Sequence, residues 1–197
     1  MNLTINIKNK TKFVGGKKMR TSKLRNFTAA FAKVMEVIAW VGTGAIVLSG
    51  IVIAAFRDQI LKAYTEAGNL QFTTAGINPG TIDASTFLPV TSALLIYGLV
   101  VGVLLIIMFR NVNLIFKTTN TASPFDISNV SRIKNIGYIA LALPVCKIIA
   151  NIVLGFISKD FTIGVEASEV LFGLIILCLA QYFAYGASLE KDVEGLL

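Results

Sequence analysis

Four long apolar runs, separated by short polar segments, dominate the hydropathy pattern of the chain. They cover about residues 34–56, 87–109, 136–157 and 170–189. A helix of about 20 residues crosses the roughly 30 Å hydrocarbon core of a bilayer, so each run is long enough to span it. Only the third run carries a central charge, Lys147, and its many Ile, Leu, Val and Phe residues outweigh an insertion cost of about 2.5–3.5 kcal/mol. The pattern predicts an all-α fold, an integral membrane four-helix bundle.

The composition supports this prediction and excludes several classes of protein. Apolar residues make up 55% of the 197 residues, charged residues make up 15%, and the mean hydropathy is +0.74. A soluble domain carries about 25% charged residues, so an ordinary water-soluble enzyme is excluded. The chain has no histidine, which removes the commonest general base and the commonest metal ligand. We therefore expect no enzymatic activity, no metal and no cofactor.

The Lys and Arg residues are distributed unevenly among the segments that connect the runs. Fourteen lie before the first run, between the second and third runs, or after the fourth, and three lie in the two other loops. By the positive-inside rule, both termini are cytoplasmic. We divide the chain into a basic, mobile cytoplasmic tail over residues 1–22 and a membrane domain over residues 23–197. The tail is either a topology signal alone or an attraction to anionic lipid, and no nucleic-acid-binding pattern accompanies it.

The two loops on the outer side are short. The first begins with a helical stretch, Asp58 to Ala67, and its turn signal at residues 78–80 is compatible with a small hairpin. The second, over residues 158–169, is short and acidic. Neither loop is large enough for a separate folded domain.

Polar side chains inside the third and fourth runs form a candidate intramembrane cluster. Lys147 lies near mid-depth, Asn151 follows one helical turn later, and Gln181 and Tyr185 have the same spacing in the fourth run. Counting residues from the connecting loop places Lys147 and Gln181 at similar depth, which predicts a hydrogen bond between them. The cluster is either a site for an ion, a proton or a small ligand, or an interhelical hydrogen-bond network with no ligand.

Small residues in the second run predict close helix packing. Gly98 and Gly102 are four residues apart, so they share one face of the helix. This ridge serves either packing within the chain or a homo-oligomer, and packing within the chain is the more common use.

The segment between the second and third runs carries a compact motif. Pro124 ends the preceding helix, and Asp126 or Ser128 can cap the next one. We expect Phe125 to lie against the membrane surface. Asn129, Arg132 and Lys134 are the polar members of the motif, which leads into the third run.

This motif and the end of the fourth run together resemble a family of small four-span bacterial membrane proteins, domain of unknown function 2975. The matching residues are Pro124, Phe125, Asn129, Arg132, Ile133, Lys134, Gly137, Phe183, Tyr185, Gly186, Leu189, Glu190 and Asp192. The family pattern ends in an acidic residue followed by Thr, whereas this chain ends in Glu-Gly-Leu-Leu. The resemblance implies a multi-pass protein of the bacterial cytoplasmic membrane. Because family members often neighbour a Cro-like helix-turn-helix regulator, it also implies a cytoplasmic DNA-binding partner.

Three functions are compatible with these patterns. The first is a non-enzymatic regulator or sensor that engages a cytoplasmic partner through the inner loop and the acidic tail. The second is a small transport or permeation protein that uses the intramembrane polar cluster. The third is a structural or assembly subunit that packs through Gly98 and Gly102. We favour the regulator, because the most distinctive residues cluster on the cytoplasmic side.

Overall fold

The computed structural model describes residues 10–67, 77, 82–118, 123, 125–159, 161, 164 and 166–194, with side chains from residue 23 onward. Five helices are present in this part of the chain: α1 (Lys10–Ala55), α2 (Arg57–Ala67), α3 (Phe87–Thr118), α4 (Ile127–Ser158) and α5 (Ala167–Glu194). In the described ranges, four of them, α1, α3, α4 and α5, are long and apolar enough to cross a membrane. The predicted all-α fold, with four helices able to span a membrane, is therefore confirmed for this part of the chain.

The helices are longer than the apolar runs. Because α3 continues to Thr118 and α4 begins at Ile127, most of the segment between the second and third runs, residues 110–135, is helical. Asp126 caps α4, since its carboxylate accepts a hydrogen bond of 2.7 Å from the backbone N–H of Ser128. At the other end of the chain, α1 begins at Lys10 and so includes more than half of the segment that we predicted to be a mobile tail.

The spanning helices pack in the order α1, α3, α4, α5, and each extensive contact joins neighbours in this order. Within the described residues, α1 and α5 do not pack extensively on each other, so the four helices form an open row. Helix α4 is the most buried of the four, whereas the apolar window of α1 has no buried residue. The exposed apolar side chains of α1, such as Trp40 and Leu48, lie where lipid would surround a membrane protein.

Close helix contacts fix the antiparallel pairing of α1 with α3. Gly102 faces Thr43, and Gly98 faces Ile46. The Gly98–Gly102 ridge therefore packs against α1 of the same chain, which is the more common of the two uses considered from the sequence.

A small apolar core closes one end of the row. Tyr64 of α2 packs on Phe87 with ring centroids 4.5 Å apart, and its hydroxyl donates a hydrogen bond to the carbonyl of Ile82. Val90 of α3 and Leu154 of α4 complete this core. The predicted helix at Asp58–Ala67 is thus present and packed, while the predicted hairpin around residues 78–80 lies outside the described residues.

Helix α5 is displaced along α4. Leu141 faces Gly173 and Gly137 faces Leu177, so residues at the same level have numbers that sum to about 314. Ala167, the first residue of α5, therefore lies level with the turn of α4 that contains Lys147. Phe161 packs against Gly155 and Phe156, which shows that the chain has already turned back along α4 before α5 begins.

Candidate functional site

A buried ion pair joins α4 to α5. The ammonium of Lys147 lies 3.0 Å from Oε1 of Glu169 and donates a hydrogen bond to it. The side chain of Lys147 is 8% exposed and that of Glu169 is 35% exposed. Lys147 therefore faces protein rather than lipid, as the cost of an uncompensated charge inside a membrane requires.

The predicted bond between Lys147 and Gln181 is wrong. Because α5 begins level with Lys147, Gln181 lies about four helical turns farther along α5, and its side chain is exposed. The error arose because we counted depth from Ser158 and Ser168 as if they were level. Tyr185 is 65% exposed, so neither it nor Gln181 belongs to a cluster with Lys147.

Asn151 is the one other member of the predicted cluster that lies near Lys147. It is 3% exposed, and neither its Nδ2 nor its Oδ1 has a hydrogen-bond partner within the described part of the chain. One helical turn separates the two residues on α4. The acid at the membrane end of α1, Glu36, is not part of this site, because it pairs with Lys33 at 3.1 Å.

A cavity of about 310 Å³ opens beside the ion pair. Lys147 and Glu169 line one part of it, and the remaining wall is mainly apolar side chains of α3, α4 and α5, including Leu105, Met108 and Phe172. Tyr97 lines both this cavity and a second, almost wholly apolar groove of about 550 Å³ between α3 and α4.

A second candidate site lies at the opposite end of α5, where the two segments that carry the family resemblance meet. The ring of Phe125 packs on Phe183 with centroids 5.5 Å apart. It also lies so close to Gly186 that a Cβ there would be 2.6 Å from its Cδ1 atom. Phe125 thus packs on α5, a contact that the sequence did not predict, and its side chain remains 40% exposed. We call Ser123, Phe125, Phe183, Gly186 and Glu190 the loop–tail contact.

Hydrogen bonds tie the loop–tail contact to α3 and α4. The hydroxyl of Ser123 donates to Oε2 of Glu190 at 2.7 Å, and the amide of Asn129 donates to the carbonyl of Ser123 at 3.4 Å. Arg132 donates to Oδ1 of Asn129 at 3.1 Å and to the hydroxyl of Thr118 at 2.6 Å. Asn129 is fully buried, so this network holds the end of α3, the start of α4 and the end of α5 in one arrangement.

The remaining residues of the two motifs take no part in this network. Pro124 lies outside the described residues. Lys134 and Asp192 are exposed, and neither side chain makes a hydrogen bond or ion pair within the described ranges. An open pocket of about 370 Å³ does lie beside the contact, lined by Ser123, Phe125, Asp126, Ile127, Ala187, Glu190 and Lys191.

Sequence reasoning missed three residues that the structure brings into these sites. We assigned Glu169 to a loop, although it directly precedes the fourth apolar run. Tyr97 looked like any other apolar position of α3, and Ser123, which directly precedes Pro124 of the motif, was assigned no role. Of the three, only Glu169 carried a usable signal, since an acid in the first turn of a spanning helix needs a partner.

No family model, curated protein or solved structure matches the chain. The resemblance to domain of unknown function 2975 therefore rests on the quoted residues alone.

Proposed function

We propose that this protein is a non-enzymatic regulator of the bacterial cytoplasmic membrane, with both termini in the cytoplasm. In this proposal it holds a basic cytoplasmic partner, such as a DNA-binding regulator, at the pocket beside the loop–tail contact. The observation that carries the proposal is the contact itself. Segments about 60 residues apart in sequence, which contain the most distinctive residues of the chain, build one surface.

The chemistry of the pocket favours a basic partner. Asp126 and Glu190 contribute carboxylates to its lining, and Phe125, Ile127 and Ala187 contribute apolar side chains. An arginine or lysine side chain fits such a pocket, because its stem covers apolar surface while its charge meets carboxylates. Lys191 opposes this preference with one positive charge. The excess of Lys and Arg residues on this side of the chain supports its cytoplasmic orientation.

A test of partner binding should alter a residue that lines the pocket but does not hold the fold together. Phe125 is held against Gly186, so replacing it would disturb the fold as well as any partner. Ile127 lines the pocket and is 75% exposed, which makes it the better reporter. Phe156 is 74% exposed near the opposite end of α4 and serves as a matched control.

The experiment introduces a photo-crosslinking amino acid at position 127 or at position 156 of the full-length protein in native membranes. We expect position 127 to crosslink to a soluble basic protein and position 156 to crosslink to no soluble protein. The double variant Asp126→Asn and Glu190→Gln should reduce the crosslink several-fold, because both changes keep hydrogen bonding and remove only charge.

A charge-matched control removes two carboxylates at the other end of the molecule, with Asp58→Asn and Glu166→Gln. This control should leave the crosslink unchanged. Equal loss in both double variants, or no soluble partner at position 127, would refute the proposal.

Transport is the second candidate function, and the cavity beside Lys147 and Glu169 is the observation that favours it. In this candidate, Lys147→Met would abolish a solute or ion flux through reconstituted protein, while the crosslink at position 127 would be unaffected.

A further inference from the structure

The cavity between α3, α4 and α5 has the features of a binding site that is separate from the loop–tail contact. Its volume of about 310 Å³ lies within the range of small-molecule sites. Its wall is apolar except near Lys147, Glu169 and the hydroxyl-bearing Tyr97. Because the polar groups of the cavity lie together and the rest of its wall is apolar, we expect a ligand that is mostly apolar and has one polar group. We call the polar part of the wall, formed by Lys147 and Glu169, the polar corner.

The hydrogen-bonding capacity of Lys147 defines what the polar corner accepts. An ammonium group has three N–H donors, and Glu169 is the one acceptor recorded for Lys147 in the described residues. Lys147 is 6% exposed, so bulk water does not surround its remaining donors. A ligand that brings an oxygen acceptor would satisfy a donor that is costly to leave unpaired.

The charge balance of the corner selects a neutral ligand. Glu169 compensates Lys147 at 3.0 Å, so the pair carries no net charge. An anion drawn to Lys147 would be repelled by Glu169, and a cation drawn to Glu169 would be repelled by Lys147. A carbonyl, ester or hydroxyl oxygen meets neither repulsion.

The shape of the surrounding surface selects a chain-like body. Tyr97 lines both this cavity and the groove of about 550 Å³ between α3 and α4. The groove is almost wholly apolar, with Ile96, Ile149 and Val153 among its lining residues. An apolar chain can therefore extend past Tyr97 while its oxygen stays near Lys147.

We propose that this cavity binds a neutral single-chain lipid through a hydrogen bond from Lys147 to a carbonyl, ester or hydroxyl oxygen. Glu169 sets the preference for a neutral head group by compensating Lys147. Tyr97 stands where the chain leaves the cavity for the groove. The proposal is independent of partner capture at the loop–tail contact.

The test uses three photoactivatable probes with the same twelve-carbon chain and a diazirine near the head group. Their head groups are an alcohol, a carboxylate and a quaternary amine, so the three probes are neutral, negatively charged and positively charged. Full-length protein in lipid nanodiscs is labelled with each probe below saturation, and the labelled peptides are mapped. We expect the alcohol probe to label residues of the cavity most strongly and excess unlabelled dodecanol to remove this label.

Two variants test whether labelling of the cavity depends on Lys147 and Glu169. Lys147→Met should lower labelling by the alcohol probe about tenfold, the loss expected for a hydrogen bond to a charged group. Val145→Met is the matched control, because Val145 lies on α4, is 52% exposed and does not line the cavity. Glu169→Gln should reverse the preference, so that the carboxylate probe labels more strongly than the alcohol.

The outcomes separate clearly. A wild-type preference for the carboxylate or the amine would overturn the proposal. The same holds if the Lys147→Met and Val145→Met proteins label equally, or if the preference in Glu169→Gln is unchanged. Because Glu169→Gln is read as a reversal rather than a loss, a partly destabilised variant still gives a decisive result.

Discussion

Glu169 is the acidic partner of Lys147, although the two residues are separated by 22 positions and lie on different helices. The pair forms because α5 begins level with Lys147 rather than level with the end of α4. A carboxylate from the first turn of α5 is thereby brought beside a lysine that would otherwise be an uncompensated charge within the membrane.

We predict that the two ends of this ion pair differ in their effect on stability. Glu169→Gln leaves Lys147 buried without a compensating charge and should destabilise the protein by about 3 kcal/mol or more. Lys147→Met removes the more buried charge and leaves a glutamate that is 35% exposed, so its cost should be about 1 kcal/mol or less. Chemical or thermal unfolding in one detergent would measure both.

The double variant Lys147→Met and Glu169→Gln completes this test. It should be more stable than Glu169→Gln alone, since no charge is then left uncompensated. Additive effects would contradict the pairing.

We predict that Gly186→Ala destabilises the loop–tail contact. The added Cβ would lie 2.6 Å from the ring of Phe125, so the ring would have to move away from Phe183. Overpacking of this kind costs about 1–3 kcal/mol. Gly44→Ala is the control, because nothing lies within 4 Å of a Cβ at that position and alanine favours the helix. A loss of thermal stability for both variants alike would argue against the contact.

Disulfide crosslinking should report the order of the helices. In a protein with Cys146 and Cys178 replaced by alanine, T43C with G102C should form a disulfide, because Thr43 lies against Gly102. K147C with Q181C should not, since Gln181 lies about four turns from the level of Lys147. The reverse result, detected by gel mobility, would restore the pairing that residue counting predicts.

The cap of α4 should give a defined dependence of stability on pH. Hydrogen bonds from the side chain and backbone of Ser128 lower the pKa of Asp126 below its usual 3.8. The folded state is thus favoured at pH values above 3.8, and this contribution is lost as the pH falls through the lowered pKa. Asp126→Asn keeps a capping side chain but does not titrate. Its melting temperature should therefore fall less than that of the wild type between about pH 5 and about pH 3, which lie about one unit above and below the usual pKa of an aspartate.

The sequence predicted the spanning helices well, because uncharged runs of about 20 residues leave few alternatives to membrane spans. Helix ends were less predictable. The stretch from Arg110 to Thr118 is polar enough to resemble a loop, but it remains helical and packs by way of Thr118 against Arg132. Hydropathy shows which residues can lie in the lipid. It does not show where a helix ends, because the hydrogen bonds of the helix backbone continue into polar residues outside the lipid.

The partners of the polar residues were less predictable than the helices. The pairing of Lys147 depends on the displacement of α5 along α4, and no local pattern encodes a displacement of that kind. Close contacts between Leu141 and Gly173, and between Gly137 and Leu177, determine it. The meeting of Phe125 with Gly186 depends on the same register, although both residues were singled out from the sequence.

The late start of α5 has an electrical consequence. Eleven residues of α4 lie beyond Lys147, so α4 projects about 16 Å past the level at which α5 begins, at 1.5 Å per residue. Backbone that is not helical must be hydrated or covered by protein at membrane depth, so where the connection between α4 and α5 is hydrated, polar medium reaches farther in beside α5 than beside α4. With that connection hydrated, the insulating layer of an energised membrane is thinner along α5, and the voltage falls over a shorter distance there. Glu169 then lies where this steeper field begins, so any movement of its charge would be coupled to the membrane potential.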